Sequence, residues 1–249
     1  MGLTLTPAQV AQFRRYTELL LAANRHVNLT ALRDETALIT KFHLDALALL
    51  PVMARYAGLT PEMLCLRAWQ VADVGSGGGA PALPLSIACP TFHTTLIESI
   101  AKKARFLAET ATALRLNATV LPARAEDVAR EPAHRQHYDW VTARAVAALP
   151  TLVELTLPLA RVDGFIVLPK GPKAHDELAD AAQAITLLGG ELAGVDTLDI
   201  PGAPETRTVV VIRKVADTPE KYPRRAGVPG RKPLLKLDCL KKTSPQSMC

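Results

Sequence analysis

The stretch Trp69-Gln-Val-Ala-Asp-Val-Gly-Ser-Gly-Gly-Gly79 constrains the fold more than any other part of the chain. Trp69 to Val74 read as a short apolar strand, and Gly75, Gly77, Gly78 and Gly79 follow at once. Glycine lets a backbone turn sharply and approach a ligand closely. A strand running into such a cluster therefore marks where an open α/β sheet receives a nucleotide-like molecule. The next helix then offers unsatisfied N–H groups beside that ligand. Asp73, at the strand end, is expected to fix the loop by accepting its backbone N–H groups. Gly75-x-Gly77-x-x-Ala80 also fits the dinucleotide fingerprint, which tolerates Ala at its third position. Thr94-Thr-Leu-Ile-Glu98 reads as a second strand, ending in a carboxylate about 20 residues past the loop, where a ribose is usually held. Glu98 supports a ribosyl cofactor without choosing which.

The flanking sequence predicts one α/β unit with additions. In front, Thr6-Pro-Ala-Gln9 is a capping box with Pro at the first helical position, and Val10, Phe13, Thr17 and Leu20 continue one face to about Ala23. Asn24 to Thr30 breaks that helix into a polar turn. A second helical stretch, about Asp34 to Tyr56, carries Leu38, Phe42, Leu44, Leu47 and Leu50, with a bend expected at Pro51. Residues 1–67 thus read as an N-terminal helical extension. Beyond Glu98, strands near Thr119 to Leu121, Tyr138 to Arg144 and Gly164 to Leu168 alternate with helices at Ala101 to Arg115, Leu149 to Ala160 and Lys173 to Leu188. Glu191 to Asp199 and Thr206 to Arg213 close as a strand pair around Pro201-Gly202. The alternation over 68–214 predicts a doubly wound, mostly parallel sheet of seven strands with an antiparallel edge.

Residues 215–249 are left as a basic C-terminal tail. From Pro219 to Cys249 there are eight Lys/Arg against Glu220 and Asp238, so this stretch carries +6 of a chain total of +5 and the remainder is slightly acidic. A near-neutral body with a basic tail points to a polyanionic partner. The four cysteines, Cys65, Cys89, Cys239 and Cys249, lie far apart without a Cys-x-x-Cys, which indicates neither a disulfide framework nor a zinc site. No signal peptide is evident, and no apolar run approaches the roughly 20 residues of a membrane span. A cytoplasmic monomer without membrane contact is expected.

Methyltransferases of the Rossmann type usually carry Asp/Glu-x-Gly-x-Gly-x-Gly at this loop, and Asp73-Val-Gly75-Ser-Gly77-Gly-Gly79 is similar position for position. Asn28-Leu-Thr-Ala31, Pro81 with Pro84, Leu96-Ile-Glu-Ser99, Lys102-Lys-x-x-Phe106-Leu, Arg124-Ala-Glu126, Arg144-Ala145 and Tyr222-Pro-Arg-Arg-x-Gly-x-Pro229 accompany it in order. On these motifs the chain resembles, from about Phe13 to Leu234, the bacterial small-subunit ribosomal RNA guanine-N7 methyltransferases, also called the glucose-inhibited division protein B family. The resemblance implies a Rossmann-like class I fold, S-adenosyl-L-methionine as cofactor, and 16S ribosomal RNA or the small ribosomal subunit as partner. It places the cofactor pocket at Asp73, Gly75, Gly77, Gly79, Ala80, Glu98, Ser99, Ile100, Ala125, Glu126 and Arg144, with the surroundings of Glu126 near the adenine. Arg144 is also the implied catalytic residue, facing the substrate. This chain departs from the family at Ala80-Pro81-Ala82, where a bulky residue and Pro-Gly are usual, at Ala23 in place of Trp, and at Phe42-His43-Leu44-Asp45-Ala46, where a His-x-x-Asp-Ser is displaced.

The implied chemistry agrees with what the sequence lacks. Guanine N7 presents an in-plane lone pair and no proton, so it attacks a sulfonium methyl without a general base and asks mainly for alignment. An Asn-Pro-Pro-Tyr motif, common in adenine amino methylation, is replaced by Thr142-Ala-Arg-Ala145. A C5-pyrimidine reaction requires a cysteine nucleophile, and Cys89, just before Pro90, reads as buried filler. RNA contacts are expected from Lys102, Lys103, Arg105, Arg124, Lys170, Arg207, Arg224, Arg225, Arg231 and Lys232, chiefly to phosphates. With 4% aromatic residues, shape recognition is favoured over stacking. Two other readings stand beside this one. An NAD-dependent oxidoreductase calls for an acid/base pair such as Tyr-x-x-x-Lys, which the chain lacks. A non-catalytic RNA-binding assembly factor is suggested by Ala80 and Ala82.

Overall fold

The computed structural model describes residues 4–171, 174–198, 200 and 207–235. Its first helix, α1 (Pro7–Ala23), begins at the expected capping box. The Thr6 hydroxyl accepts from Gln9 N at 3.2 Å and Gln9 Oε1 accepts from Thr6 N at 2.8 Å. Gln9 also donates to the carbonyls of Ile87 and Ala88, so the cap docks the extension onto the core.

The second helical stretch is segmented into α2 (Glu35–Leu38), a π-helical turn (Ile39–Leu44), α3 (Asp45–Leu47) and α4 (Leu49–Tyr56). The bend does not fall at Pro51. That residue sits in the first turn of α4, where a missing N–H costs little, and the interruption lies just before it at Ala48. Contrary to the sequence expectation, Glu35–Tyr56 is long and apolar enough to cross a membrane, but 67% of its most apolar 18-residue window is buried inside the protein. Leu38, Phe42, Leu49, Leu50 and Met53 supply that burial. A second correction concerns α5 (Pro61–Cys65): Cys65 is joined to Cys89 by a disulfide, their Cα atoms 4.4 Å apart. The two lie 24 residues apart in sequence, and the end of α5 and the end of the helix Ala82–Ala88 bring them together.

Then β1 (Gln70–Val74), α6 (Ala82–Ala88), β2 (His93–Ile97), α7 (Ala101–Ala113), β3 (Ala118–Leu121), α8 (Ala125–Val128), β4 (Tyr138–Ala143), α9 (Leu149–Thr156), β5 (Ala160–Lys170), α10 (Ala174–Leu187), β6 (Gly190–Leu198) and β7 (Arg207–Lys214) follow in turn. They build a seven-stranded sheet in the order β3-β2-β1-β4-β5-β7-β6. The central strands read as unbroken apolar runs because both faces are covered, and Val71, Ala72 and Val74 are buried accordingly. Strand β7 runs antiparallel to both β5 and β6. The final strand pair is as expected, but its antiparallel member lies inside the sheet and β6 forms the edge. The expected turn at Pro201-Gly202, the strand start at Thr206 and the helix start at Lys173 fall outside the described residues.

Strand order reverses between β1 and β4, so a crevice opens at their carboxyl ends. Tyr16, Leu20, Leu29, Leu38 and Phe42 of the extension share a core with Ala80, Ala82, Leu83, Leu96 and Phe106 beside that crevice. Ala80 and Ala82 are thereby buried among close neighbours.

The segment after β7, expected as a tail, packs back onto the body as far as it is described. Arg135 donates to the carbonyls of Thr218 and Tyr222 at 2.8 Å each. The buried Lys214 ammonium donates to Leu157 O at 2.9 Å, to Leu188 O at 3.1 Å and to the Thr218 hydroxyl. The last helix of this segment is α11 (Val228–Arg231).

Candidate active site

The loop after β1 is held by its neighbours through backbone groups. Gly75 N donates to Ile97 O at 2.8 Å, and Tyr16, reaching in from α1, donates its hydroxyl to Gly78 O at 2.6 Å. Gly75 has φ +68° and a Cβ there would meet Val146 Cγ2 at 2.6 Å; Gly79 has φ +104° and a Cβ there would meet the Tyr16 hydroxyl at 2.5 Å. Close packing, against Val146 at Gly75 and against Tyr16 of the extension at Gly79, thus demands glycine at these positions as well as ligand access does.

The task of fixing the loop, expected of Asp73, falls to the other carboxylate near it. Glu98, buried at the end of β2, ties the loop: its Oε2 accepts from Gly77 N at 2.9 Å and its Oε1 from Ile100 N at 2.8 Å. Each oxygen retains a second lone pair for a ribose hydroxyl. Asp73 does not hold loop N–H groups, because its side chain points across the sheet. Its Oδ1 accepts from the Thr142 hydroxyl at 2.7 Å, while Oδ2 is buried with no hydrogen-bond partner. Burial pushes its carboxyl up to about 6. A buried, unpartnered carboxylate oxygen calls for a cation. That fits S-adenosylmethionine, which carries ammonium and sulfonium charges, and opposes a dinucleotide pyrophosphate, for which residues 69–80 offer no Lys or Arg.

Glu126 is buried, and its Oε1 accepts from Gly227 N at 2.8 Å. Its side chain ties the C-terminal segment down, a different task from the adenine contact expected around it. Ala125 is buried beside it at the start of α8. Ser99 and Ile100 are exposed where the chain turns from β2 into α7.

Arg144 leaves β4 at the crevice. Its Nη1 donates to Asp45 Oδ2 at 2.7 Å, and its guanidinium carbon stands 4.9 Å from the Phe42 ring centre. Arg207, at the start of β7, places Nε 3.2 Å from the other oxygen of Asp45. Lys170 pairs with Glu177 at 2.6 Å and donates to Ala147 O at 3.1 Å. These groups line, with Lys41, a cleft of about 390 Å³. His43 lies away from it, 2.8 Å from the Thr17 hydroxyl, and burial pulls its pKa down to about 4. A neutral His43 packed among Phe13, Tyr16 and Phe42 is a core residue.

Topology gathers most of the expected cations on one edge of the sheet. Lys102, Lys103 and Arg105 begin α7 after β2, Arg124 precedes α8 after β3, Arg144 and Lys170 end β4 and β5, and Arg207 begins the antiparallel β7. Arg225, Arg231 and Lys232 are exposed on the C-terminal segment, with Arg231 Nε donating to Gly227 O at 3.2 Å. Arg224 is different. It grips the fully buried Glu154 through Nε at 2.8 Å and Nη2 at 2.6 Å, so its charge is spent holding the segment. Sequence reasoning missed Asp45, Lys41, Glu177 and Thr142. For Asp45 a signal was at hand, since it lies in the displaced Phe42–Ala46 segment.

With this geometry in view, comparison with known proteins is specific. The family model described as rRNA small subunit methyltransferase G (GidB) matches residues 9–205. The ribosomal RNA small subunit methyltransferase G of Roseiflexus castenholzii is 48% identical over 235 residues, 94% of this chain and 95% of the relative. That of Chloroflexus aggregans is 44% identical over 239 residues, 94% and 93% of the two chains. Among solved structures, a putative O-methyltransferase from Klebsiella pneumoniae superposes with a TM-score of 0.55 at 12% identity, over 86% of this chain and 93% of that one. The last likeness concerns the fold alone.

Proposed function

The chain belongs to the rRNA small subunit methyltransferase G family, and we propose that it transfers the methyl group of S-adenosyl-L-methionine to N7 of a guanine in 16S ribosomal RNA. The observation that carries the choice of acceptor is the state of the cleft beside the glycine loop. The carboxylates that line it are bound to cations, Asp45 to Arg144 and Arg207 and Glu177 to Lys170, so neither stands there as an unpaired base. N7 needs none, while acceptors that must lose a proton do.

The cofactor supplies an electrophilic methyl on a positively charged sulfur. Around it, the glycine loop allows close backbone approach, Glu98 holds that loop and offers lone pairs to the ribose, and Asp73 Oδ2 supplies the countercharge. Arg144 positions the acceptor at the end of β4. The cations along the carboxyl edge bind phosphates and set the RNA's register, with the target base unstacked into the cleft. The reading includes a cytoplasmic protein that acts without membrane contact, and the burial of most of the apolar window of Glu35–Tyr56 in the core counts against that segment as a membrane span.

The test is methyl transfer from labelled S-adenosylmethionine to unmodified small-subunit ribosomal RNA, offered free and as assembled particles, followed by nucleoside mass spectrometry. Labelled 7-methylguanosine is the expected product. Label in another nucleoside overturns the N7 assignment, and cofactor binding without label on either substrate favours a non-catalytic role.

A further inference from the structure

Asp45 is a buried carboxylate contributed to the cleft by the N-terminal extension, and the chemistry above does not use it. It stands at the first residue after the π-helical turn Ile39–Leu44. A π-turn inside a helix re-aims the residues that follow and is frequent at functional sites. Here it precedes the residue that meets Arg144 at 2.7 Å and Arg207 at 3.2 Å, one on each carboxylate oxygen.

The two arginines come from strands on opposite sides of β5, so no shared backbone ladder sets the spacing between their side chains. Asp45 does so from a third element, and Phe42 backs the Arg144 guanidinium from the turn before it. A guanidinium carries five N–H donors in a rigid fork, so one carboxylate contact does not exhaust it, and paired forks suit a phosphate. Lys41 adds a further cation to the lining of the same cleft.

We propose that Asp45 is a positioning residue: it holds Arg144 and Arg207 as a matched pair that receives one RNA phosphate beside the target guanine. This rests on the methyl-transfer reading above.

The experiment uses Asp45→Asn and Asp45→Glu in the full chain. Asp45→Asn raises the net positive charge, so plain electrostatic attraction predicts tighter RNA binding, whereas lost positioning predicts a slower reaction. The expected result is a fall of about 10- to 100-fold in kcat/KM for 7-methylguanosine formation, with cofactor Kd moved by less than about threefold and affinity for an unrelated RNA equal or higher. Asp45→Glu keeps the charge and is expected to recover part of the rate. An Asp45→Asn enzyme within about twofold of wild type overturns the proposal, as does an equal loss of cofactor and RNA binding. An arm independent of activity reads the arginine Nε–H resonances by NMR in the free protein. Arg144 and Arg207 signals should be held in slow guanidinium rotation in the wild type and released in both variants, more so in Asn. If wild type makes no 7-methylguanosine, the methyl-transfer reading fails; if the resonances ignore Asp45, the positioning claim fails whatever the enzyme makes.

Discussion

Asp73 and Thr142 face each other in register across the strands where the sheet order reverses, and the Thr142 hydroxyl donates to Asp73 Oδ1 at 2.7 Å. That bond lowers the Asp73 pKa, but burial outweighs it and leaves the carboxyl near 6. A bound cation then favours the ionised form, so cofactor binding releases a proton below about pH 6. Cofactor affinity is expected to be flat above that value and to fall by up to tenfold per pH unit below it. Calorimetry between pH 5 and pH 8, on the order of those limits, reads the break. Thr142→Val moves the break upward, because a bond to the charged form is lost, and Asp73→Asn weakens binding and removes the break. A profile that wild type and Asp73→Asn share would detach the carboxyl from the cofactor.

The same shift predicts a stability effect of opposite sense to that of a salt-bridged carboxylate. The folded value, about 6, lies above the ordinary 3.8, so the unfolded chain ionises first. The penalty for burying the charge is absent below the ordinary value, grows as pH rises between the two, and reaches about 3 kcal/mol above the folded value. Denaturation of the cofactor-free protein should show wild type losing ground to Asp73→Asn through that window. Parallel curves for the two would remove the burial argument.

Gly79 and Tyr16 tie the loop to the extension. A Cβ at Gly79 would fall 2.5 Å from both the Tyr16 hydroxyl and Leu83 Cδ1, at a φ that disfavours side chains. Gly79→Ala is expected to lower stability by about 1–3 kcal/mol and to weaken cofactor binding with it. Gly75→Val acts differently, by displacing Val146 and blocking the backbone face, and should abolish cofactor binding in calorimetry. An unchanged Kd in Gly75→Val would move the cofactor away from this loop.

These positions show what was legible in the chain. An apolar run ending in glycines locates β1, and a carboxylate one strand later identifies Glu98, because both are local patterns of fixed period. The alternation of strands and helices was legible up to β5. Beyond it, two β segments with a short connection must pair with each other, but nothing in either says which one meets β5. The loop tie expected of Asp73 falls to Glu98 because both stand near the loop, and only the Thr142 register turns Asp73 away. Asp45 was hidden by a π-turn, which breaks the period on which a helical face is counted. Cys65 and Cys89 meet through helix ends that spacing alone does not align.

Lys214 supplies a test of the C-terminal segment's anchorage. Burial pulls its pKa from 10.5 down to about 7, with Arg135 adding repulsion. The unfolded chain therefore holds the proton over a range where the folded chain has released it. The penalty is full below about pH 7 and lifts as pH rises towards 10.5, so stability should climb across that range. Lys214→Met removes the climb and leaves the carbonyls of Leu157 and Leu188 without this donor. A wild-type stability that stays flat from pH 7 to pH 9, roughly the accessible part of that range, would falsify the assignment.

Arg224 and Arg225 are neighbours with opposite expected phenotypes. Glu154 is fully buried, and Arg224 meets it with paired N–H groups while also donating to Lys232 O at 2.6 Å. Arg224→Ala strands that carboxylate and is expected to cost about 3 kcal/mol, read as a lowered unfolding midpoint. Arg225 is exposed, and its removal should leave the midpoint in place while weakening RNA binding. The slope of log K against log salt should then shrink by about 0.7–0.9, the share of one phosphate contact. A double substitution mixes the two effects and cannot separate them. If Arg225→Ala leaves the slope unaltered, the exposed cations of this segment serve something other than RNA, and the phosphate contacts belong to the carboxyl edge of the sheet alone.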